Sequence, residues 1–466
     1  MASKGTATLP VYQAFDRAKF AEVDTDDARA LEDKLTRATQ AYAARDRWLP
    51  PYERIAVLQR LARAIEERRE QLTKLIAREG GKPYTDAAIE VARAADGVRD
   101  AAEELRNFGG REIPMGLTKA SDRRSAFTVR EPIGVVAAIS AFNHPLNLIV
   151  HQVAPAIAVG CPVIVKPAST TPLCCLELVS LANAAGLPED LCQSFVPPDN
   201  VLAEKLATDP RVAFLSFIGS GRVGWSLRSK LPPGTRCALE HGGAAPLIVD
   251  RDVDIDAVLP PIVKGGYYHA GQVCVSVQRI YVHAAIYDEF VDKFATRVSE
   301  LRVGDPLRPE TEVGPLILPK EVERVASWVE EATRGGARVA VGGHIANETT
   351  YQPTVLLEPK PDAKVSTEEV FGPVTCVYRY SELDHAIEAA NSLPFSFQAS
   401  IFTERLDVAL HASERLDAAA VLINDHTAFR ADWMPFAGHK QSGYGIGGIP
   451  WTMHEITRQK MIVFKR

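Results

Sequence analysis

The sequence predicts an α/β chain with a doubly wound, Rossmann-like domain followed by a second α/β domain of similar size, and three observations predict it. From residue 133 onward short apolar runs alternate with helix-like stretches, a second series of the same kind starts at residue 247, and residues 26–108 ahead of both show helical periodicity. Apolar runs separated by helices belong to parallel strands, because crossover helices cover both faces of the sheet. The chain has 466 residues, 46% hydrophobic and 24% charged, which allows several packed domains and excludes disorder and small disulfide scaffolds.

In order, residues 26–108 read as amphipathic helices. Ile55, Leu58, Leu61 and Ile65 recur at spacings of three and four, and a last helix covers 87–108 after the break Gly80-Gly81-Lys82-Pro83. Residues 111–115 and 125–130 are extended stretches around a polar turn, a hairpin that reaches outward toward another subunit. The first α/β series places strands at 134–139, 163–166, 193–196, 213–218 and 237–240, with helices opening at Leu146, Pro172, Val201 and Arg222. The second places strands at 247–249, 279–282, 337–341, 355–357, 374–378, 399–402 and 420–423, with helices over 286–301, 319–334 and 383–391.

Charge and cysteine usage narrow the function. Lys and Arg number 53 against 59 Asp and Glu, a net charge of −6, and the basic residues are dispersed, so nucleic acid is not expected as a partner. The start has no apolar core behind Lys4, and the most apolar region, 133–165, is broken by Asn143, His144, Pro145, Asn147 and His151. A chain that is neither exported nor membrane-spanning follows. The seven cysteines lack metal-ligand spacing, which fits free thiols in a reducing cytoplasm and no metal.

The strand 213–218 runs into Gly219-Ser220-Gly221-Arg222-Val223-Gly224, a GxGxxG turn of the kind that brings backbone N–H groups to a pyrophosphate. The same rule seeks an acidic residue about 20 positions on, and Glu240 satisfies it. Glu240 is also followed by the turn His241-Gly242-Gly243, which leads out of the first sheet toward an interdomain cleft, and the two roles are incompatible. Cys274 stands apart from the other cysteines in the glycine-containing stretch before a strand, where a reactive thiol could be reached.

Phe142-Asn143-His144-Pro145, Lys166-Pro167-Ala168-Ser169, Phe217-Ile218-Gly219-Ser220, Leu239-Glu240-His241-Gly242-Gly243, Gly271-Gln272-Val273-Cys274 and Glu369-Val370-Phe371-Gly372-Pro373-Val374 resemble the ordered signature blocks of the aldehyde dehydrogenase superfamily. The resemblance implies a cofactor-binding domain at 1–108 and 131–242, a catalytic α/β domain at 243–447, and a small β oligomerisation element at 109–130 and 448–466. It implies Cys274 as nucleophile, Asn143 as oxyanion donor and Glu240 as the base for thioester hydrolysis, which displaces the ribose role. NAD or NADP is the implied cofactor, with Lys166 and Ser169 at the adenosine ribose, Gly219, Ser220 and Val223 under the pyrophosphate, and Glu369 and Phe371 at the nicotinamide riboside. Ile139, Ser140, Phe217 and Gly242 complete that set. Ser169 stands where NAD-preferring members often carry Glu, so NADP is not barred, and Arg222 adds attraction.

The chain departs from the family at His269, which replaces an Asn, at Ala244-Ala245, which replaces Lys-Ser, and at 196–200, which lacks glycines. FNHPLN at 142–147, YHAGQVCVSVQ at 268–278 and INDHTAFRADWMPF at 423–436 resemble members acting on lactaldehyde, succinic semialdehyde and phosphonoacetaldehyde. A small polar or anionic aldehyde is therefore expected, with Arg93, His144 and Arg430 at its charged end, although Val273 replaces one further arginine of the phosphonate enzymes. Arg93 and Arg430 exposed or structurally paired is the competing expectation. The hairpin and the strand 460–466 resemble exchanged sheet edges, implying a homodimer or homotetramer. A CoA-acylating dehydrogenase and a cysteine esterase or hydrolase on the same fold are the alternative activities; Glu240 argues against the first.

Overall fold

The computed structural model describes residues 7–466, so Lys4 lies outside the described residues. The opening region is helical as expected over Ala28–Ala43, Pro51–Glu67, Arg69–Gly80 and Tyr84–Glu104. Asp27 caps the first by accepting from Ala30 N–H at 2.8 Å, and Gly81, at φ 72°, ends the third. The fourth starts directly after Pro83 and stops at Glu104, earlier at both ends than the 87–108 helix expected. A hairpin of Thr8–Tyr12 and Lys19–Asp24, for which the sequence carried no signal beyond weak alternation, precedes them. It is held by Val11 and Val23 packing on Val196.

The first sheet has parallel strands Val135–Ile139, Val163–Lys166, Cys192–Ser194, Val212–Ile218 and Arg236–Glu240. Val136 and Ala138 point into the core built with the helices Pro51–Glu67, Arg69–Gly80 and Tyr84–Glu104, whereas Val135, Ala137 and Ile139 point into the core on the opposite face, with Leu31, Leu35 and Ala38 of the helix Ala28–Ala43. This alternation is why the strand reads as continuously apolar. A short antiparallel strand from the far C-terminal region, Gly443–Tyr444, joins the Arg236–Glu240 edge.

The second sheet contains Ala245–Val249, Val277–His283, Thr354–Leu357, Val374–Tyr380, Gln398–Phe402 and Ala420–Ile423, all parallel, and Arg338–Val341, which is antiparallel. Helices Ile255–Tyr267, Lys364–Thr367, Leu406–Arg415 and Ile449–Glu455 were not expected, the last within the segment 448–466 read as a β element. The first contains Pro260-Pro261 in its interior, which reads as a break, yet the helix continues through both without their backbone N–H groups.

The expected hairpin is present as Glu112–Ile113 against Arg124–Pro132. The C-terminal strand Thr457–Lys465 pairs along its whole length with Arg124–Pro132, so within one chain it is partnered rather than free. Its outer edge has no partner strand among the described residues; Met461, Val463 and Phe464 on it are exposed, as is Phe127 on the neighbouring strand. No helix among the described residues is long and apolar enough to cross a membrane.

Candidate active site

The C-terminal ends of the first sheet's strands carry Ile139, Lys166, Ile218 and Glu240 to one cleft of about 1110 Å³. Its other wall is formed where the chain enters two strands of the second sheet, at Cys274 and at Glu369–Phe371. A crevice beyond the carboxyl ends of parallel strands is where such sheets bind ligands. Asn143, Ser140, Ser169, Phe217, Gly219, Ser220, Val223, Gly242, Arg93, His144 and Arg430 line the same cleft, so every residue selected from the sequence borders one space.

The loop before Cys274 is held in an uncommon conformation. His269, Ala270 and Gly271 have φ of 49°, 54° and 69°, and a side chain on Gly271 would come within 2.1 Å of the Gly372 carbonyl. Gln272 pins this loop: its Nε2 donates to the Pro315 carbonyl at 3.1 Å and its Oε1 accepts from Ile317 N–H at 3.0 Å. Asn143, on the first sheet's side, donates from Nδ2 to the Gln272 carbonyl at 2.9 Å, which ties the amide to the nucleophile's own loop. Cys274 is half-buried, whereas the other six cysteines are buried, and all seven are free thiols.

Burial pushes the Cys274 thiol up to about 12; the Arg430 charge opposes this, while Glu369 and Glu240 add to it. The resting group is therefore a thiol, and a base is required to activate it. Glu240 ends the strand Arg236–Glu240, and a side chain on Gly447 would sit 2.1 Å from its Oε1, so glycine makes room for the carboxyl. Burial raises its pKa, with Arg430 pulling the other way. A carboxyl displaced upward in this manner is a stronger base than a free carboxylate.

On the other side of Cys274 the cleft contains polar atoms without partners. Glu369 Oε1 is buried and unbonded, burial raises that carboxyl to about 8, and a side chain on Gly242 would overlap it. Ser140 Oγ is likewise buried and unbonded. Lys166 makes no ion pair with a described residue, and burial lowers its pKa. A long cleft with an orphaned acceptor, an orphaned hydroxyl and an unneutralised cation fits a dinucleotide with ribose hydroxyls and phosphates.

The glycine turn beneath it is stitched to the strand carrying Glu240. Gly219 N–H donates to the Glu240 carbonyl at 3.1 Å, and His241 Nδ1 lies 2.8 Å from the Gly219 carbonyl. Gly224 is required because His241 Cε1 would lie 2.1 Å from any Cβ there. Sequence reasoning assigned that glycine to the dinucleotide turn and overlooked the histidine packed on it.

The substrate-side arginines differ from each other. Arg93 donates to Asp432 from Nε at 3.1 Å and from Nη2 at 2.7 Å, a bidentate pair that commits one edge of the guanidinium. Arg430 lies over the Phe436 ring at 3.6 Å, its Nη2 is 3.1 Å from His151 Nδ1, and its Nε is buried without a partner. His144 Nε2 meets the Tyr268 hydroxyl at 3.2 Å, and burial holds its pKa well below the usual value, so it is neutral.

Asp432, Asn147 and His151 were not found from the sequence. The available signal was Asn147 and His151 four apart in an otherwise apolar helix, Asn147–Val159, which puts both on one face.

A family description reading Aldehyde dehydrogenase family matches residues 1–462. The 3-sulfolactaldehyde dehydrogenase of Priestia aryabhattai is 39% identical over 414 residues, 89% of this chain and 86% of that protein. The structure of aldehyde dehydrogenase 21 from Physcomitrella patens, in complex with the reaction product succinate, superposes with a TM-score of 0.96 at 33% identity, covering 100% of this chain and 96% of that one. A glyceraldehyde-3-phosphate dehydrogenase from Methanocaldococcus jannaschii, complexed with NADP, gives 0.94 at 32% identity, covering 99% and 100%.

Proposed function

The chain belongs to the aldehyde dehydrogenase family and is an NAD(P)-dependent aldehyde dehydrogenase, and from that premise we propose that its substrate is a small aldehyde of roughly two to four carbons bearing a carboxylate, sulfonate, phosphonate or hydroxyl group. The observation that carries this reading is Arg430, a half-buried arginine lining the cleft with Cys274 and Glu240, its Nε buried and unbonded and with no salt-bridge partner among the described residues. A desolvated charged donor left unbonded is costly unless a ligand satisfies it. The sulfolactaldehyde and succinate of the relatives named above are anions of this kind.

In the proposed reaction Glu240 takes the thiol proton and Cys274 Sγ attacks the carbonyl carbon. The oxyanion so formed accepts hydrogen bonds from Asn143 Nδ2 and the Cys274 backbone N–H. NAD or NADP, held by Glu369, Lys166, Ser140 and the Gly219–Gly224 turn, supplies the hydride acceptor when bound. Glu240 then passes the thiol proton to solvent and, as carboxylate again, deprotonates a water that attacks the thioester carbonyl, so that the acid is released and Cys274 leaves as the sulfur group that is reprotonated for the next turnover. Arg93, committed to Asp432, acts on the substrate only through its remaining edge.

The sheet around Val135–Ile139 forms the cofactor-binding half and the sheet around Val277–His283 the catalytic half. The open outer edge of Thr457–Lys465, with its exposed Met461, Val463 and Phe464, is the surface through which a homodimer or homotetramer assembles. Seven free cysteines suit a reducing, cytoplasmic compartment. Replacing Arg430 by Ala tests the substrate: KM for succinic semialdehyde should rise on the order of ten- to hundredfold while propanal is far less affected, the loss expected for one charged hydrogen bond. Equal effects on both aldehydes defeat the anionic reading.

A further inference from the structure

We infer that His151 and Asp432 form a positioning relay that sets the orientation of Arg430 and thereby the enzyme's selectivity for anionic aldehydes; the inference rests on the anion-binding role proposed for Arg430.

The geometry fixes the relay's polarity. A guanidinium has only donors, so the 3.1 Å contact between Arg430 Nη2 and His151 Nδ1 requires a lone pair on Nδ1. The ring proton must then sit on Nε2, which lies 2.7 Å from Asp432 Oδ1 and donates to it. His151 is buried at 3% exposure and Asp432 at 4%, so neither contact competes with solvent. Burial, with the neighbouring Arg430 charge, brings the His151 pKa down to about 4, in accord with a neutral ring at physiological pH.

Asp432 is itself immobilised. Arg93 grips both its oxygens, Asn147 Nδ2 donates to Oδ1 at 3.1 Å, and its backbone carbonyl accepts from Ile449 N–H at 2.9 Å. Although burial alone would push the carboxyl up, the bonds from His151 and Arg93 hold it well below the usual range, so it stays an acceptor. Asn147 and His151 reach it from one helix and Arg93 from another, Tyr84–Glu104.

Arg430 is thus constrained in two independent ways. The Phe436 ring at 3.6 Å fixes the plane of the guanidinium, and the bond to His151 fixes its rotation within that plane. The imidazole, being neutral, orients the cation without cancelling its charge, whereas a carboxylate in the same place would neutralise it. Arg93 therefore serves the anion site mainly through Asp432.

The test compares His151→Leu with Arg430→Ala in the full-length enzyme, using succinic semialdehyde as anionic probe and propanal as neutral probe. His151→Leu should raise KM for succinic semialdehyde roughly tenfold, several times more than for propanal, with kcat changed less than KM. His151→Gln, which keeps an acceptor and a donor, should restore part of the loss. If Arg430→Ala is selective against the anion but His151→Leu raises both KM values equally, or lowers kcat alone, the relay is wrong. If Arg430→Ala is itself unselective, the substrate reading beneath it fails first. Should His151→Leu not fold, as judged by near-UV circular dichroism, His151→Thr decides by the same criteria.

Discussion

Two cations, Lys82 behind the cleft-lining Tyr268 and Arg430 in the cleft itself, have opposite environments. Lys82 is fully buried, ion-paired to Glu90, and lies over the Tyr268 ring at 5.7 Å. Glu90 is occupied further: its Oε1 accepts from the N–H groups of Leu146 and Asn147 at 3.0 and 3.1 Å and so caps the helix Asn147–Val159. Arg430, by contrast, has a neutral imidazole, an aromatic face and an unbonded Nε. A cation with its charge and donors satisfied holds elements together, whereas one with its charge left over is arranged for something that arrives later. Lys166, without an ion pair on the cofactor side, belongs to the second kind.

The largest expected effect separates the two kinds by stability. Lys82→Met strands the Glu90 carboxylate in the interior and should cost about 3–5 kcal/mol. Arg430→Met should cost under about 1 kcal/mol or stabilise, because an apolar chain on Phe436 replaces an uncompensated charge. Urea unfolding of both variants measures this, and an Arg430→Met loss as large as that of Lys82→Met would erase the distinction.

A smaller effect sharpens it at the nucleophile. With the Cys274 thiol raised to about 12, the thiolate fraction grows with every unit of pH, so alkylation by iodoacetamide without nucleotide should keep accelerating through about pH 9. Arg430→Met removes the charge that opposes this rise and should slow the reaction at each pH, as followed by peptide mass mapping. A plateau near neutrality would show a thiolate already formed.

The smallest concerns the cofactor cation. Ser169→Glu places a carboxylate in the same cleft, and repulsion of about 1 kcal/mol should raise KM for NADP roughly fivefold over that for NAD. Steady-state rates with each nucleotide give the ratio, and an unchanged ratio would place the 2′-phosphate elsewhere.

Much of the fold was legible because its signals are local. The strand Val163–Lys166 and the helix Pro319–Arg334 appear with the expected bounds, since an apolar run or a 3.6-residue period is complete within each segment. The helix Ile255–Tyr267 was hidden by Pro260-Pro261, and the Thr8–Tyr12 hairpin by its dependence on Val196. In the site, Cys274, Asn143 and Glu240 were recognisable from motif blocks, while His241 and Asp432 were not, since each acts through a partner far away in the chain.

By itself, then, the sequence determined the alternation of strands and helices, the reactive residue types, and the family to which their order belongs, because periodicity and short motifs are written in neighbouring positions. Only the tertiary structure decided which cations are neutralised and which remain open. That depends on pairs such as Arg93 with Asp432, 339 positions apart, brought together by packing and carrying no mutual signature along the chain.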